Sequence, residues 1–393
     1  MNAIAPVRVL FIIDQLGTGG AQEFLLHLCG SIPRDTINIS VCALRDGPYR
    51  KRLEALGIHV YSLTDHKSLL RMPVVARRLL HLLRREHFDI VHTLLEASFV
   101  LGTPLARFFQ IPTVHSVMIV RQQSTKWFFP LMAAYQRLVS LFLTPFPAEL
   151  LASGIQCHKI AAVNVTVELA DMLAVGHDPE CTLEPFDLHA AYPVVVSIGR
   201  LISDKGHEFA IRAWPAVRQR WPMARLLIIG DGEDLSQLQA LTKELGLAEA
   251  VLFAGFRQDL AAIFSRADLY LRTSLKEGIN LTTIQALAAG VPTIGFKTVV
   301  PQEIIEDETN GLLVPLYDVA GLSQAIQRLS DDDALRQRLS FAGRLGTSRD
   351  YDLDSVVSFY QATYIALKGT RRPLNTALWE LRAPDTETLG AGR

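Results

Sequence analysis

A carboxylate beside the start of a short helix is the most chemically suggestive feature of this 393-residue sequence. Residues 272–296 predict a strand end, a loop, a helix that begins after Asn280 and stops at Gly290, and another strand. Glu277 falls in the loop just ahead of that helix, whose first N–H groups have no acceptor within the helix. Such a place can hold a phosphate while the carboxylate faces a hydroxyl-rich group. An ordinary βαβ crossover with a solvated glutamate explains the segment equally well.

Two cations form a second candidate site. Arg200 and Lys205 lie five positions apart in the loop after a predicted strand at 194–198, and each is next to a glycine (Gly199, Gly206). A guanidinium suits a bidentate contact with an anion, and an ammonium suits a point contact. Solvated loop cations are the alternative, because this spacing of Arg and Lys is common.

The two motifs and a third one downstream together resemble a known family. The residues that match its pattern are Gly199, Arg200, Leu201, Lys205, Gly206, Ser274, Glu277, Gly278, Gly290, Pro292, Glu303 and Gly311. As a set, covering most of 190–365, they resemble the retaining glycosyltransferases of family 4. The resemblance implies the α/β GT-B fold, in which two doubly wound Rossmann-like domains face each other across a cleft. It also implies a nucleotide-diphosphate sugar as donor substrate.

The resemblance assigns roles to individual residues. Arg200 and Lys205 would grip the diphosphate, where fixed cations stabilise the charge that builds on the leaving group without a metal. Glu277 would accept hydrogen bonds from donor-sugar hydroxyls and steady the positive charge at the anomeric carbon. Gln285 replaces the family's ribose-binding glutamate, which gives up a charge-assisted hydrogen bond. The remaining predicted donor contacts are Gly278, Ile279, Asn280 and Leu281 at the helix start, Phe256 beside the base, and Gly19 and Gly20 in the other domain.

The first half of the sequence alternates apolar strands with helices, which predicts a doubly wound parallel sheet. A glycine turn, residues 17–22, follows the first strand, where such sheets bind phosphates, but Gln22 breaks the dinucleotide pattern G-x-G-x-x-G. A tight structural turn is the alternative for Gly19 and Gly20. His115 ends a strand at the carboxyl edge, and the resemblance implies that it faces the transferred sugar as a fourth catalytic residue with Glu277, Lys205 and Arg200.

Length and breaks in periodicity predict the domain limits. The predicted parts are an acceptor-side domain at 1–175, a linker at 176–192, a nucleotide-sugar-binding domain at 193–350, a helix at 351–368 and a tail at 369–393. By resemblance, the helix at 351–368 crosses back to the first domain.

Metal and nucleic-acid chemistry find little support in the sequence. Asp331-Asp332-Asp333 and Asp352-Leu353-Asp354 match the metal signature D-x-D, but both precede predicted helices, where acidic residues favour the helix dipole. The four cysteines show no C-x-x-C spacing. We therefore expect no catalytic metal and no cofactor. A net charge of −1 gives no argument for a nucleic-acid partner.

Basic and aromatic residues in the first half suggest contact with an anionic membrane surface. They lie in 66–86, which has leucines on one side and arginines on the other, and in 121–130, where Arg121 and Lys126 flank Trp127. A core helix with a solvated face explains 66–86 equally well. The absence of a signal peptide or a membrane-length apolar run predicts a cytoplasmic protein, peripheral on the cytoplasmic face of the membrane.

The sequence therefore predicts a metal-independent retaining glycosyltransferase that transfers a sugar to a glycan or lipid-linked acceptor, in cell-surface polysaccharide or glycolipid biosynthesis. One alternative is a catalytically inactive GT-B protein that binds glycan or serves as a partner subunit. The departures at Gln22, 163–168 and Gln285 keep that alternative open. The other is a sugar-nucleotide epimerase of the same architecture.

Overall fold

The computed structural model describes residues 5–17, 19–64, 72–118, 126–165, 169–275, 280–298 and 304–368. The chain divides into two compact units, of which the first comprises residues 1–167 and 353–393 and the second residues 168–352. Glu277, Gly278 and Ile279 lie outside the described residues, so their predicted roles stay predictions.

The first unit is built on a parallel sheet of seven strands in the order β3-β2-β1-β4-β5-β6-β7. The strands are β1 (Val7–Gln15), β2 (Ile37–Arg45), β3 (His59–Ser62), β4 (Ile90–Leu94), β5 (Thr113–Ser116), β6 (Leu141–Thr144) and β7 (Ile160–Ala162). The helices are α1 (Gly20–Ser31), α2 (Tyr49–Ala55), α3 (Met72–Arg85), α4 (Glu96–Phe108), α5 (Phe128–Tyr135), α6 (Pro147–Ala152) and, from the end of the described chain, α14 (Leu353–Leu367). The strand order reverses between β1 and β4, as in a doubly wound sheet.

The strands of this sheet are apolar on both sides, and helices cover both of its faces. Strand β1 is apolar along most of its length, and its residues from Val9 to Ile13 are completely buried. Such strands fit only a sheet that is covered on both sides. Helix α14 adds to the cover: Gln361 Nε2 donates to Thr36 Oγ1 (2.8 Å), and Lys368 Nζ donates to the carbonyl of Ala5 (2.9 Å).

The second unit repeats the design with six parallel strands in the order β10-β9-β8-β11-β12-β13. The strands are β8 (Val194–Ile198), β9 (Arg225–Ile229), β10 (Val251–Phe253), β11 (Leu269–Arg272), β12 (Thr293–Phe296) and β13 (Gly311–Val314). The helices are α7 (Ala170–Ala174), α8 (His207–Arg220), α9 (Leu235–Glu244), α10 (Leu260–Arg266), α11 (Leu281–Ala288), α12 (Val319–Asp331) and α13 (Asp333–Asp350). Here the order reverses between β8 and β11.

The predicted end of the first domain at residue 175 is wrong, because residues from 168 onward group with the second unit. Helix α7 packs against α11. The guanidinium of Arg344 donates to the main-chain oxygens of Leu173 and Val175, the latter at 3.1 Å. These contacts attach the segment to the second unit, and the periodicity of the sequence does not predict them.

The predicted linker at 176–192 is likewise part of the second unit. Arg266, which is 2% exposed, donates from one nitrogen to the carbonyls of Leu188 (2.6 Å) and Ala191 (3.0 Å). Asp178 N–H donates to the carbonyl of Ser265 (2.8 Å). The prolines that suggest a linker therefore lie in an irregular segment that side-chain and main-chain contacts hold in place.

Candidate donor site and first-unit pocket

The two candidate motifs of the second unit follow neighbouring strands. Strands β8 and β11 pair with each other at the point where the strand order reverses. The loop after β8 is residues 199–206, which we call the cation loop because it carries Arg200 and Lys205. The loop after β11 leads to α11. The carboxyl edge of a parallel sheet at such a reversal is where ligands bind, so the topology brings both motifs to the expected place.

Hydrogen bonds join the cation loop to the end of β11. Thr273 Oγ1 donates to the main-chain oxygen of Lys205 (3.1 Å), and Leu275 N–H donates to that of Asp204 (2.8 Å). Gly206 has φ 62°, and a Cβ there would lie 2.3 Å from the carbonyl oxygen of Thr273. Only glycine satisfies both the left-handed conformation and this close approach. The glycine of the motif is therefore required by the packing of the two loops.

The other side of the cation loop rests on β9. Gly199 N–H donates to the carbonyl at the end of that strand (2.9 Å), and a Cβ on Gly230 would lie only 1.9 Å from the Gly199 oxygen. The Lys205 side chain runs alongside Gly199, whose added Cβ would lie 3.7 Å from Lys205 Cγ. The Arg200 guanidinium is exposed and has no hydrogen-bond or ion-pair partner among the described residues. It is thus available to bind an anion.

The start of α11 is capped as predicted. Asn280 Oδ1 accepts a hydrogen bond from Thr283 N–H (2.9 Å), which is the N-cap arrangement. Leu281 is the first helical residue, so its N–H group has no acceptor within the helix. Gln285 is half-buried one turn further along. Asn280, Leu281 and Gln285 therefore share the helix start that follows β11, where an anion is favoured.

Phe256 lies in the loop after β10 and is 69% exposed. Its neighbour Arg257 is fixed by Asp259, with Nε donating to Oδ1 at 2.8 Å, and by the carbonyl of Glu184 at 2.6 Å. An exposed aromatic ring beside an anchored residue can offer a flat face to a planar group. This geometry is compatible with the predicted contact to a base.

His207, the first residue of α8, is a buried group beside the cation loop that the sequence predictions omit. Its Nδ1 lies 3.1 Å from Ser197 Oγ, and the residue is 3% exposed. Burial lowers the pKa of His207 to about 4, which outweighs the opposite effect of nearby main-chain carbonyls, and the charge of Lys205 lowers it further. The ring is therefore neutral and adds no positive charge to the loop. In the sequence, His207 could have been identified as part of this site from its position directly after Lys205-Gly206, at a predicted helix start.

In the first unit, Gly19 and Gly20 are exposed at the start of α1, directly after β1. Gln22, which departs from the family's glutamate, is buried, and its Nε2 donates to the main-chain oxygen of Gln15 (2.8 Å). A carboxylate could not donate this hydrogen bond. The replacement therefore has a structural use, namely fastening α1 to the end of β1.

His115 is buried at the end of β5, on the face of the sheet covered by α4 and α5. Its Nδ1 lies 3.0 Å from the carbonyl oxygen of Thr93 and 2.9 Å from Thr93 Oγ1, and its ring packs against Phe99 with centroids 4.4 Å apart. Burial lowers the pKa of His115 to about 3, against the opposing effect of the Thr93 carbonyl. The ring is neutral, with Nδ1–H donated to Thr93, so that Nε2 is left as a hydrogen-bond acceptor.

A small pocket lies at this carboxyl edge of the first sheet. Its lining comprises Ala21, Leu94, Leu95, His115, Ser116, Val117, Met118 and Phe128. The structure thus places His115 beside a pocket next to the first turn of α1. Arg200 and Lys205 belong to the second unit, where they are brought together with α11.

The described part of the chain contains no group of three or more His, Cys, Asp or Glu residues arranged to hold a metal ion. Asp332 Oδ1 accepts from Leu335 N–H (2.9 Å) and caps α13, and Asp333 pairs with Arg336 (2.6 Å). The prediction that the first D-x-D match serves as a helix cap is confirmed. Among the described residues, no helix is long and apolar enough to cross a membrane.

Comparison with known protein families matches both units. Residues 18–146 match the model described as Glycosyltransferase Family 4, and residues 192–332 match the model described as Glycosyl transferases group 1. Together the two matches span more than half of the chain. The chain belongs to glycosyltransferase family 4.

Two bacterial glycosyltransferases align with most of this chain. The lipopolysaccharide core biosynthesis glycosyltransferase LpsE of Rhizobium meliloti is 24% identical, over 87% of this chain and 94% of its own. The UDP-Gal:alpha-D-GlcNAc-diphosphoundecaprenol alpha-1,3-galactosyltransferase of Escherichia coli is 25% identical, over 84% of this chain and 89% of its own. The crystal structure of Anabaena HepE in complex with UDP superposes with a TM-score of 0.77 at 18% identity, covering 92% and 100% of the two chains. The fold of the glycosyltransferase is therefore GT-B, as the sequence predicts.

Proposed function

We propose that this glycosyltransferase moves a sugar from a nucleotide-diphosphate sugar to a glycan or lipid-linked acceptor, with retention of anomeric configuration and without a metal ion. Its biosynthetic product would be a lipopolysaccharide or another cell-surface polysaccharide, assembled at the cytoplasmic face of the membrane. The names of LpsE and of the E. coli galactosyltransferase support this product class.

The observation that carries the proposal is the attachment of the cation loop to the strand that leads into α11. Thr273 and Gly206 hold the loop against the end of β11, and the same loop carries Lys205 and Arg200, whose guanidinium has no partner among the residues that the structure describes. A diphosphate bound there would meet two cations and the N-terminus of a helix. These groups stabilise the negative charge on a leaving diphosphate without reorganisation, which is the largest contribution such a site can make to the rate.

A uridine nucleotide is the donor we propose to test first. The name of the E. coli relative specifies UDP-Gal, and HepE was crystallised with UDP and with UDP-glucose. Phe256 is exposed to stack on a base, and Gln285 can accept a hydrogen bond from a ribose hydroxyl. Glu277 is proposed to bind the donor sugar, and His115 to face it.

Donor hydrolysis provides the test. The purified protein should slowly release UDP from a UDP-sugar, and Arg200→Ala and Lys205→Ala should each reduce kcat/KM by about 100-fold or more, as the loss of a charge-stabilising group does. The matched control is Lys243→Ala, which removes an exposed lysine from α9 in the same unit. Loss of activity in the control as well would contradict the assignment of the cation loop.

Melting temperatures measured with UDP-, GDP- and ADP-sugars separate the alternatives, since a ligand that binds only the folded state raises the melting temperature. Binding without turnover on any acceptor would indicate an inactive partner subunit. Isomerisation of the sugar nucleotide without acceptor would indicate an epimerase. If no nucleotide sugar raises the melting temperature, the proposed donor site is wrong.

Membrane contact is proposed through the exposed face of α3. The helix packs Leu79 and Leu83 into the core and turns Arg77, Arg84 and Arg85 outward, so these two leucines are not available for insertion. Residues 66–71 and 121–125 of the predicted membrane segments lie outside the described residues, whereas Trp127 is 55% exposed. The remaining attraction is electrostatic, at about 1 kcal/mol per basic residue near an anionic surface.

Flotation with anionic vesicles tests this contact. Reversing the charge at Arg77, Arg84 and Arg85 should abolish binding at low salt, whereas Arg218→Glu on α8 should have no effect. Neutral vesicles should not bind either protein. Equal binding by the charge-reversed and wild-type proteins would contradict the proposal.

A further inference from the structure

A buried hydrogen-bond network connects α14 to the end of β5. Tyr364 Oη lies 2.7 Å from His92 Nδ1, and His92 Nε2 lies 2.8 Å from Ser116 Oγ. Ser116 Oγ is also 3.3 Å from Tyr360 Oη. The two tyrosines and the histidine are 1% exposed or less, and Ser116 is 4% exposed. Burial lowers the pKa of His92 well below its usual value, so the ring is neutral, with one nitrogen that donates and one that accepts.

The protons of this network can be counted. Tyr364 has no hydrogen-bond partner except His92 within the described part of the chain, so its O–H must donate to Nδ1 or remain unpaired in the core. An unpaired buried donor costs about 1–3 kcal/mol, which selects donation from the tyrosine. Nδ1 is then the acceptor of His92, and Nε2–H donates to Ser116 Oγ.

Tyr360 is enclosed in the core, and Ser116 Oγ is its hydrogen-bond partner within the described residues. Either the Tyr360 hydrogen or the Ser116 hydrogen must remain without an acceptor in the network. The Ser116 hydrogen can find an acceptor in the pocket that this residue lines, whereas Tyr360 is not part of that lining, so Tyr360 donates to Ser116 Oγ. Ser116 Oγ thus accepts two hydrogen bonds, which uses both of its lone pairs. The hydroxyl hydrogen of Ser116 has no acceptor left in the network.

Ser116 also lines the first-unit pocket, together with its neighbour His115. The pocket has room for a group about the size of a hydroxyl or a water molecule. The neutral ring of His115, whose Nδ1–H is used by Thr93, offers Nε2 as an acceptor, and Ser116 offers an O–H donor. The two side chains leave β5 on opposite faces, because consecutive strand residues alternate, and both residues border the pocket at the carboxyl edge. A donor and an acceptor that border one pocket complement a hydroxyl group, which both accepts and donates.

We infer that Ser116 binds a sugar hydroxyl of the substrates in this pocket, with its O–H directed there by the network from α14. The inference rests on the proposed function for the identity of the ligand as a sugar. Tyr360, His92 and Tyr364 are positioning residues, since each acts only through Ser116. The hydroxyl belongs either to the acceptor glycan or to the donor sugar, and the two sources predict different kinetics.

The tautomer of His92 tests the proton count directly. In protein labelled with ¹⁵N-histidine, long-range proton–nitrogen correlations should show the Nε2–H tautomer at neutral pH, and the signal is assigned by its loss in His92→Asn. Tyr364→Phe removes the proton donor to Nδ1 and should change the nitrogen shifts of His92. Observation of the Nδ1–H tautomer in the wild-type protein would overturn the inference.

Kinetics test the role in binding. Ser116→Ala should lower kcat/KM for transfer by about three- to tenfold, the effect of one neutral hydrogen bond. A rise in acceptor KM with unchanged donor hydrolysis would place the hydroxyl on the acceptor, and an equal loss in both reactions would place it on the donor sugar. Unchanged kinetics, with the wild-type enzyme active, would overturn the inference and leave the proposed function intact.

One control variant separates binding from stability. Thr113→Val removes a buried hydroxyl from the same strand, where Oγ1 donates to the carbonyl of Ile111 (3.4 Å) outside the pocket lining. It should lower the melting temperature while keeping kcat/KM near that of the wild type. A loss of kcat/KM in Thr113→Val equal to that in Ser116→Ala would show a merely structural role for Ser116 and overturn the inference.

Discussion

Thr273 Oγ1 donates a hydrogen bond to the main-chain oxygen of Lys205 over 3.1 Å, which fastens the end of β11 to the cation loop after β8. Thr273 is 1% exposed, so the bond is shielded from water. The two residues come from motifs that are distant in the sequence. The position of the cations beside α11 therefore depends on a contact that carries no charge and binds no ligand.

Thr273→Val should weaken donor binding without removing any proposed ligand contact. The substitution keeps the shape of the side chain and removes the hydrogen bond from Thr273 to the Lys205 carbonyl, at a cost of about 1 kcal/mol. We expect a lower melting temperature and a higher KM for the nucleotide sugar. Thr293→Val on β12 is the control, because its buried hydroxyl donates to the carbonyl of Val291 (3.0 Å), away from the cation loop. An equal rise in KM in both variants would show that the effect is general loosening of the sheet.

Gly206→Ala should be more damaging than an alanine at a glycine with similar φ and free space. A Cβ on Gly206 would lie 2.3 Å from the Thr273 oxygen, so the loops must separate, whereas nothing lies within 4 Å of a Cβ on Gly246 (φ 68°). Gly246→Ala should cost about 1 kcal/mol, the conformational penalty alone. Urea unfolding of both variants, together with donor titration, should show the larger loss and the weaker binding in Gly206→Ala. Equal stability losses would mean that the loop can adjust.

The sequence predicts the elements that carry local signals and misses those that depend on tertiary contacts. Apolar strands, the Asn280 cap and the spacing of Arg200 and Lys205 are all readable from neighbouring residues, and the structure has strands, cap and loop where they are expected. The segment 176–192 is different, because its prolines suggest a linker while distant side chains hold it in place. Ser116 is different again, since its unpaired hydroxyl hydrogen can be inferred only from its hydrogen bonds to residues on β4 and α14.

His115 should make the stability of the first unit fall in acid. Its pKa is about 3 in the folded chain and about 6.5 when unfolded, so below pH 6.5 the unfolded state binds a proton that the folded state excludes. The contribution is fully present above pH 6.5 and is lost progressively down to pH 3. Between pH 6.5 and 5 it amounts to about 2 kcal/mol of unfolding free energy.

His115→Gln removes this titration and should reduce the slope of unfolding free energy against pH in that window, while the buried His92 of the same unit, whose pKa is also lowered, keeps part of the slope. Urea unfolding near pH 7 and pH 5, followed by a probe in the first unit, measures the difference. His158→Gln is the control, because that histidine is exposed and lies in the same unit. A slope as steep in His115→Gln as in the wild type would mean that His115 is already protonated in the folded protein.

Arg266 should be necessary for the order of the segment 176–192. Its guanidinium donates hydrogen bonds to the carbonyls of Leu188 and Ala191. It also lies 3.7 Å from the carboxylate of Asp268, which accepts a hydrogen bond from Val194 N–H (2.7 Å). Arg266→Met fills similar space but leaves those oxygens without this donor and removes one cation beside the buried Asp268. Because His177 and Arg336 still interact with that carboxylate, the cost should be below the value of about 3–5 kcal/mol for a fully broken buried pair. Limited proteolysis should then cut within 176–192 faster than in the wild type. Arg218→Met is the control, since its guanidinium binds only the nearby Pro222 carbonyl at the surface of the described chain. Proteolysis at the wild-type rate in Arg266→Met would show that the segment is held by its other contacts, such as that of Asp178 with Ser265.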